Sequence, residues 1–207
     1  MGFIDQDRVS GRYGLASGLT DLSAGHVDPN ELRARSMNWA DPLAARSGEA
    51  VRVGVRTGTE ALIVHYVFRP DHSQQQADVG AQLPGHATAL GKVLLAHNPA
   101  AVALFPARGV TSYTARTITS RSALTMELLQ ARSQGYAVEF GEHRPDQAGI
   151  AAPIFGSGGL TVGAVEIHGD LDRICDPSGT ARPKLVAQVV DCARAVAREL
   201  KTERSGE

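Results

Sequence analysis

Three places in this 207-residue chain hold residue types that could do chemistry. The first is Val162-Gly163-Ala164-Val165-Glu166-Ile167-His168. Period-two alternation on a strand puts Val162, Ala164, Glu166 and His168 on one face, with Val165 and Ile167 on the other. If both faces are covered, Glu166 and His168 are buried polar groups that need partners. They are either a Glu–His pair at a strand end reaching solvent or the floor of a ligand pocket, and the alternation leaves both open. The second place, Glu139, Glu142 and His143, follows a predicted strand and leads into a loop with Pro145 and Gly149 that could cover the same pocket. Taken singly, loop charges are usually just solvated. The third is Gly85-His86-Ala87-Thr88-Ala89-Leu90-Gly91-Lys92-Val93. It invites comparison with a phosphate-binding loop and fails: five residues separate the glycines, and Val93 stands where a magnesium-holding Ser or Thr belongs. It is then either a helix start packed through small residues or a set of free N–H groups facing a small anion or carbonyl.

Other chemistry finds no support. No HExxH or CxxC spacing occurs, so no local metal site is expected, although Glu166 and His168 together could hold an ion. No GxSxG elbow is present, and neither cysteine lies near a histidine in sequence. Cys175 and Cys192 suggest no disulfide scaffold, and Cys192 falls on an apolar helical stripe, the place of a core thiol.

The elements that must position these residues are readable from pattern. Residues 2–15 read as a β-hairpin around Ser10-Gly11, too small to stand alone. A Gly/Asp/Pro-rich break over 25–30 marks a boundary. Asp28-Pro29 opens a helix carrying Leu32, Met37, Trp39 and Leu43, expected to stop or kink near Pro42, with Gly48 ending the segment. Val51, Val53 and Val55 share one face of a strand. Ala61–Phe68, apolar on both faces apart from His65, reads as a central covered strand. Pro70–Gln76 is a polar loop. Helices are expected over His86–Ala96, Ser122–Gln134 (closed by Gly135) and Pro183–Lys201, the last with an inward stripe of Leu185, Val189, Cys192, Val196 and Leu200. Strands are expected at Tyr136–Phe140, Ile150–Phe155 and Thr161–His168. Two hairpins make much of the sheet antiparallel, so the fold class is α+β.

Composition narrows the functions. Apolar residues make up 43% and charged residues 21%, ordinary globular values that exclude disorder and collagen-like repeats. Lys+Arg 21 against Asp+Glu 22 gives a net charge of -1, which does not favour phosphate-backbone binding by the bulk of the chain. No apolar run approaches the about 18 residues that span a bilayer, and no signal peptide opens the chain, so a soluble cytoplasmic protein with no membrane partner is expected.

Several blocks in order resemble the IclR family of bacterial transcriptional regulators. The segment LPGHATALGKVLLA (83–96) is similar to the family's most recognisable block, and LLQARSQGYAVE (128–139) to its second. Glu142, GIAAPIF (149–155) and VGAVEIHG (162–169) with Arg173 resemble the third. The resemblance runs from about Gly11 to the end of the last helix. It implies a GAF-like effector-binding domain over 26–207, with a curved antiparallel sheet flanked by helices. Residues 1–25 are similar to the last strand pair of a winged helix-turn-helix domain and the start of a linker helix (Leu15–Ser23). The recognition helix has no counterpart here, so operator DNA is expected to be bound only through a DNA-binding domain largely missing from this chain.

Carried over position by position, the resemblance implies an effector pocket of Leu83, Ala89, Leu90, Glu139, Gln147, Gly149, Glu166 and His168. Family members with small carboxylate effectors tend to have small hydroxyl residues where this chain has Glu166 and His168. A glutamate there repels a carboxylate, increasingly so in a desolvated pocket, and favours a polyol, an amine or another non-carboxylate. The expected protein is an allosteric effector-sensing regulator, with no catalytic role and no cofactor, that assembles into dimers or tetramers. The alternatives are a small enzyme or metal-binding domain using Glu166 and His168, or a natural short protein that pairs with full-length relatives and blocks them.

Overall fold

The computed structural model describes residues 4–6, 13–15 and 27–202, except 72, 74, 107 and 108. Short strands β1 (Ile4–Gln6) and β2 (Tyr13–Leu15) pair antiparallel, Ile4 opposite Leu15, as the hairpin pattern requires. The expected linker helix falls outside the described residues. The rest is built on one six-stranded antiparallel sheet: β3 (Ala50–Thr57), β4 (Glu60–Val67), β5 (Gln82–Pro84), β6 (Ala137–Phe140), β7 (Gln147–Phe155) and β8 (Thr161–Asp170). The spatial order is β5-β4-β3-β8-β7-β6. Helices α1 (Pro29–Ser47), α2 (Ala89–Ala96), α3 (Pro99–Ala103), α4 (Arg121–Gln134), α5 (Leu171–Ile174) and α6 (Pro183–Thr202) complete it. The α+β class, the antiparallel sheet and the flanking helices are as expected.

Alternation divides the core in two. Val51, Val53, Ile150, Ile154, Val165 and Ile167 face α1 and α6, where they meet Leu32, Leu43 and the stripe Leu185, Val189, Cys192, Val196 and Leu200. On the other face Ala61, Ile63, Ala137, Ala151 and Ala164 meet α2 and α4 through Leu90, Val93, Leu95, Leu124 and Leu128. The alanines on that face let α2 settle close to the strands. Two glycines bring its start closer still: a Cβ on Gly91 would strike the Gly85 backbone, and one on Gly85 would strike the Thr59 carbonyl. The glycine spacing that resembled a phosphate loop is therefore close packing of backbone on backbone.

Caps form where the residues demand them. Asp28 accepts from the Asn30 N–H at 2.7 Å with Pro29 at the first helical position, and Gly48 and Gly135 close their helices in the left-handed region. Four expectations need correction. The first helix does not stop at Pro42 but runs on to Ser47, because Leu43 and Ala44 beyond the proline are buried in the α1–α6 core. The second begins at Ala89, not His86, since Thr88 is its cap. β4 is not central: it lies next to the edge, flanked over Glu60–Leu62 by the three-residue β5, and residues 65–67 are only half-buried. Val162 does not share the face of Ala164. A register shift where Ile154 pairs with Gly163 and Phe155 with Thr161 leaves it as an extra residue, turned toward the α1–α6 core.

Candidate functional site

Sheet register assembles the polar residues. One rung runs Glu139–Gly149–His168–Ala50 across β6, β7, β8 and β3, and the next runs Ala151–Glu166–Arg52–Tyr66 across β7, β8, β3 and β4. Both face α2, whose first turn closes over them. Thr88 caps that turn, its Oγ1 accepting from Gly91 N at 3.2 Å and donating to the Pro84 carbonyl at 2.9 Å. The Leu90 N–H, left free by helix geometry, donates to Glu166 Oε1 at 3.1 Å. Ala89 and Gly149 leave the room for this. A Cβ on Gly149 would lie 2.8 Å from Glu166 Oε1 and 3.4 Å from the Ala89 Cβ.

Glu166 is 2% exposed, and its second oxygen is unsatisfied. Arg52 Nη1 stands 3.5 Å from Oε2, an ion pair without a formed hydrogen bond, while Nη2 bonds Asp78 Oδ2. Arg52 Nε is also buried without a partner, as are both ring nitrogens of His168, whose ring lies 5.8 Å from that of Tyr66. Burial raises the Glu166 carboxyl above its ordinary range, with Arg52 pulling the other way. Burial, and then the nearby Arg52, hold His168 well below its usual value, so the ring is neutral at pH 7. The Glu–His pair, one of the two alternatives the alternation left open, does not form. Glu166 turns to Arg52 and the helix, and His168 is left open to something else.

Glu139 is 6% exposed and accepts from the backbone N–H groups of Glu142 and His143, the second at 3.1 Å. Burial pushes it up to about 7 against those bonds, with Glu166 and Glu142 adding repulsion. Glu142 in turn joins a separate cluster. Lys92, fully buried, donates to Glu142 Oε1, to Glu127 Oε1 at 3.0 Å and to the Val138 carbonyl at 3.1 Å. Lys92 is thus a structural cation tying α2 to α4 and to the turn after β6.

A cavity of about 240 Å³ opens over the first group, lined by Arg52, Asp78, Arg144, Gln147 and His168 among others. Larger hollows exist elsewhere, such as one of about 490 Å³ beside Val55, Leu94 and Leu160, which adjoins the unpartnered Thr161 Oγ1 but none of the unsatisfied atoms of Arg52, Glu166 and His168. Of the residues anticipated from sequence, Ala89, Leu90, Glu139, Gly149, Glu166 and His168 come together, and Gln147 lines the cavity. Leu83 lies with Ala89 and Leu90 in the apolar cluster beneath α2. Sequence reasoning missed Arg52, Tyr66 and Asp78. The alternation that put Val51, Val53 and Val55 on one face already put Arg52 on the other; Asp78, from the loop after β4, had no such signal. Among the described residues no three His, Cys, Asp or Glu side chains gather in a way that could hold a metal ion, and no helix is long and apolar enough to cross a membrane.

Comparison with known proteins places this arrangement. The family described as "Bacterial transcriptional regulator IclR C-terminal" matches residues 24–198. The glycerol operon regulatory protein of Streptomyces coelicolor is 45% identical over 203 residues, covering 98% of this chain and 80% of that protein. The crystal structure of Thermotoga maritima IclR superposes with a TM-score of 0.72 at 22% identity, covering 96% of this chain and 80% of that one. An IclR homologue from Microbacterium hydrocarbonoxydans, solved in complex with 4-hydroxybenzoate, gives 0.69 at 23%, covering 96% and 80%. A half-curled antiparallel sheet with flanking helices, the ordered sequence blocks and the matched profile agree, and the chain belongs to the IclR family of transcriptional regulators, of which it carries the effector-binding domain.

Proposed function

We propose that this domain senses a small, neutral, hydroxyl-bearing molecule in the space bounded by Ala89, Leu90, Glu139, Gln147, Gly149, Glu166 and His168, with Arg52 at its centre. The observation that carries this is the set of four buried, unpartnered polar atoms on Arg52, Glu166 and His168 beneath one cavity. Unmet polar groups cost about 1–3 kcal/mol each, and a polar ligand would satisfy them. The glycerol operon named for the Streptomyces relative agrees with a polyol effector. An enzyme using Glu166 and His168 is less well supported, because the two side chains do not bond each other. A metal ion fits poorly, since among the described residues no third ligand gathers with Glu166 and His168.

In the same proposal, residues 1–25 are the wing and linker of a winged helix-turn-helix domain through which operator DNA is bound, supported by the antiparallel pairing of β1 and β2. The protein works in the cytoplasm as a dimer or tetramer, and effector binding changes how its subunits are arranged. A thermal-shift series with polyols, amines, carboxylates and divalent cations tests the sensor. A ligand at a hundred times its Kd stabilises the folded state by about 2.7 kcal/mol. The expected result is stabilisation by a polyol, lost in Glu166→Ala and His168→Ala, with the ligand recovered unchanged. Conversion of the ligand into a product would reject it. Light scattering with and without the ligand reads the assembly.

A further inference from the structure

We infer that Arg52 decides which class of molecule the site accepts: held between Glu166 and Asp78, it offers hydrogen bonds without net positive charge, which suits a polyhydroxyl compound and turns away its carboxylate or ammonium counterpart. This rests on the site assigned above and goes beyond it by naming the selecting residue.

A free buried guanidinium is a carboxylate receptor, since its parallel N–H groups match the two oxygens. Arg52 is not free. Nη2 is taken by Asp78, and Nη1 stands against Glu166 at 3.5 Å. Two carboxylates around one guanidinium leave that trio without net positive charge, and Arg69, Arg144 and Asp170 also line the cavity, so the choice among ligands falls to hydrogen-bond complementarity rather than to a free guanidinium. What the site still lacks can be counted. Arg52 Nε is an unused donor, Glu166 Oε2 an unused acceptor, and the neutral His168 ring supplies one donor and one acceptor. Two donors and two acceptors remain to be met. A pair of hydroxyls, each donating once and accepting once, meets all four. A carboxylate only accepts, and would leave Glu166 Oε2 and one His168 nitrogen bare. An ammonium only donates, and would leave Arg52 Nε and the other His168 nitrogen bare. Arg52 and His168 line the cavity and Glu166 lies behind them, so a ligand meets these atoms through small side-chain shifts that keep the Arg52–Asp78 bond.

Three molecules of one size separate the classes: glycerol, tartronate (both CH2OH groups replaced by carboxylate) and 1,3-diamino-2-propanol (both terminal hydroxyls replaced by ammonium), the last two keeping a single hydroxyl. Isothermal titration of the full chain is expected to show glycerol binding at least about tenfold more tightly than either. Glu166→Gln combined with Asp78→Asn releases the Arg52 charge, and tartronate becomes the tighter ligand. Asp78→Asn alone, at a half-exposed position that should not disturb folding, narrows the gap. Arg52→Gln weakens glycerol without gaining tartronate. Wild-type protein that binds tartronate or the diamine as well as glycerol, or a double variant that keeps the glycerol preference, overturns the role of Arg52. If Gly149→Val abolishes binding yet the preference ignores these charges, only this inference fails. Failure of glycerol and of every other three- to six-carbon polyol to bind, or binding that survives Gly149→Val, overturns the site as well.

Discussion

Two buried charged clusters lie against the same short helix, and they differ in completeness. Around Lys92, three acceptors stand within 3.1 Å of one ammonium, and Glu142 Oε2 is the one atom left over. Around Arg52, four atoms on three residues are left over. Both clusters are desolvated and both combine a cation with two carboxylates. The first is closed: every proton on Nζ has a destination, and its work is to hold α2, α4 and the turn after β6 together. The second is open, and its deficit is arranged around the glycine where the sheet makes room. Completeness separates a charged group that serves the fold from one that serves a ligand.

The largest test of this difference is on the closed side. Lys92→Met removes the cation and strands Glu142 and Glu127 beside a buried carbonyl. Breaking a buried pair from one side costs about 3–5 kcal/mol, which urea unfolding will register. Lys92→Met combined with Glu142→Gln should recover part of that loss. On the open side, Glu166→Gln should move stability by no more than about 1 kcal/mol, because Gln can still accept from Leu90 N and Arg52 keeps Asp78. Equal losses at the two positions would erase the distinction.

Glu139 sits between the clusters, bonded to the turn of one and repelled by the carboxylate of the other, and its pH dependence is the next largest effect. Its carboxyl is raised from 4.5 to about 7 in the folded state, so the native protein holds a proton that the unfolded chain releases. With more protons bound in the native state, stability falls as pH rises. The contribution is fully present below about 4.5 and is lost as pH rises through about 7, amounting to up to about 3 kcal/mol. The histidines His65, His86, His97, His143 and His168, all held below their usual value chiefly by burial of the ring, slope the other way below pH 6.5. The readout is therefore the difference between wild type and Glu139→Gln from pH 4.5 to 7.5. A flat difference would place Glu139 among ordinary carboxylates.

The closed cluster was the less legible of the two in the sequence, and the reason is distance along the chain. Lys92 reaches Glu127 and Glu142, 35 and 50 residues away, and its glycine-flanked setting invites only a comparison with a phosphate-binding loop, which fails. Glu166 and His168 could be read because alternation within one strand needs no knowledge of any partner. Arg52 was readable by the same rule, from the valines beside it, but only once β3 was known to lie next to β8. Asp78 could not be read at all, since a loop residue has no period. The fold followed the same pattern. Caps at Asp28, Gly48 and Gly135 are local and fell where the residues put them. The position of β4 near the edge and the extra residue at Val162 depend on which strands pair, and no local signal carries that.

The smallest effect concerns the turn both clusters share. Thr88 Oγ1 holds Gly91 N and the Pro84 carbonyl, and removing a threonine cap costs about 1 kcal/mol. Thr88→Ala therefore loosens the first turn of α2 without touching either charged group. The open cluster depends on that turn directly, because Leu90 N is one residue from Gly91 and holds Glu166. The closed cluster is anchored from outside the helix by Glu127, Glu142 and Val138. Hydrogen exchange should therefore quicken at the amides of Leu90 and Gly91 while those of Leu94–Ala96 keep their protection, and effector affinity should fall with the first group. Thr88→Ser retains the hydroxyl and should behave as wild type. Exchange that quickens evenly along α2 would mean the helix moves as one body, and the two clusters would then be coupled rather than separate.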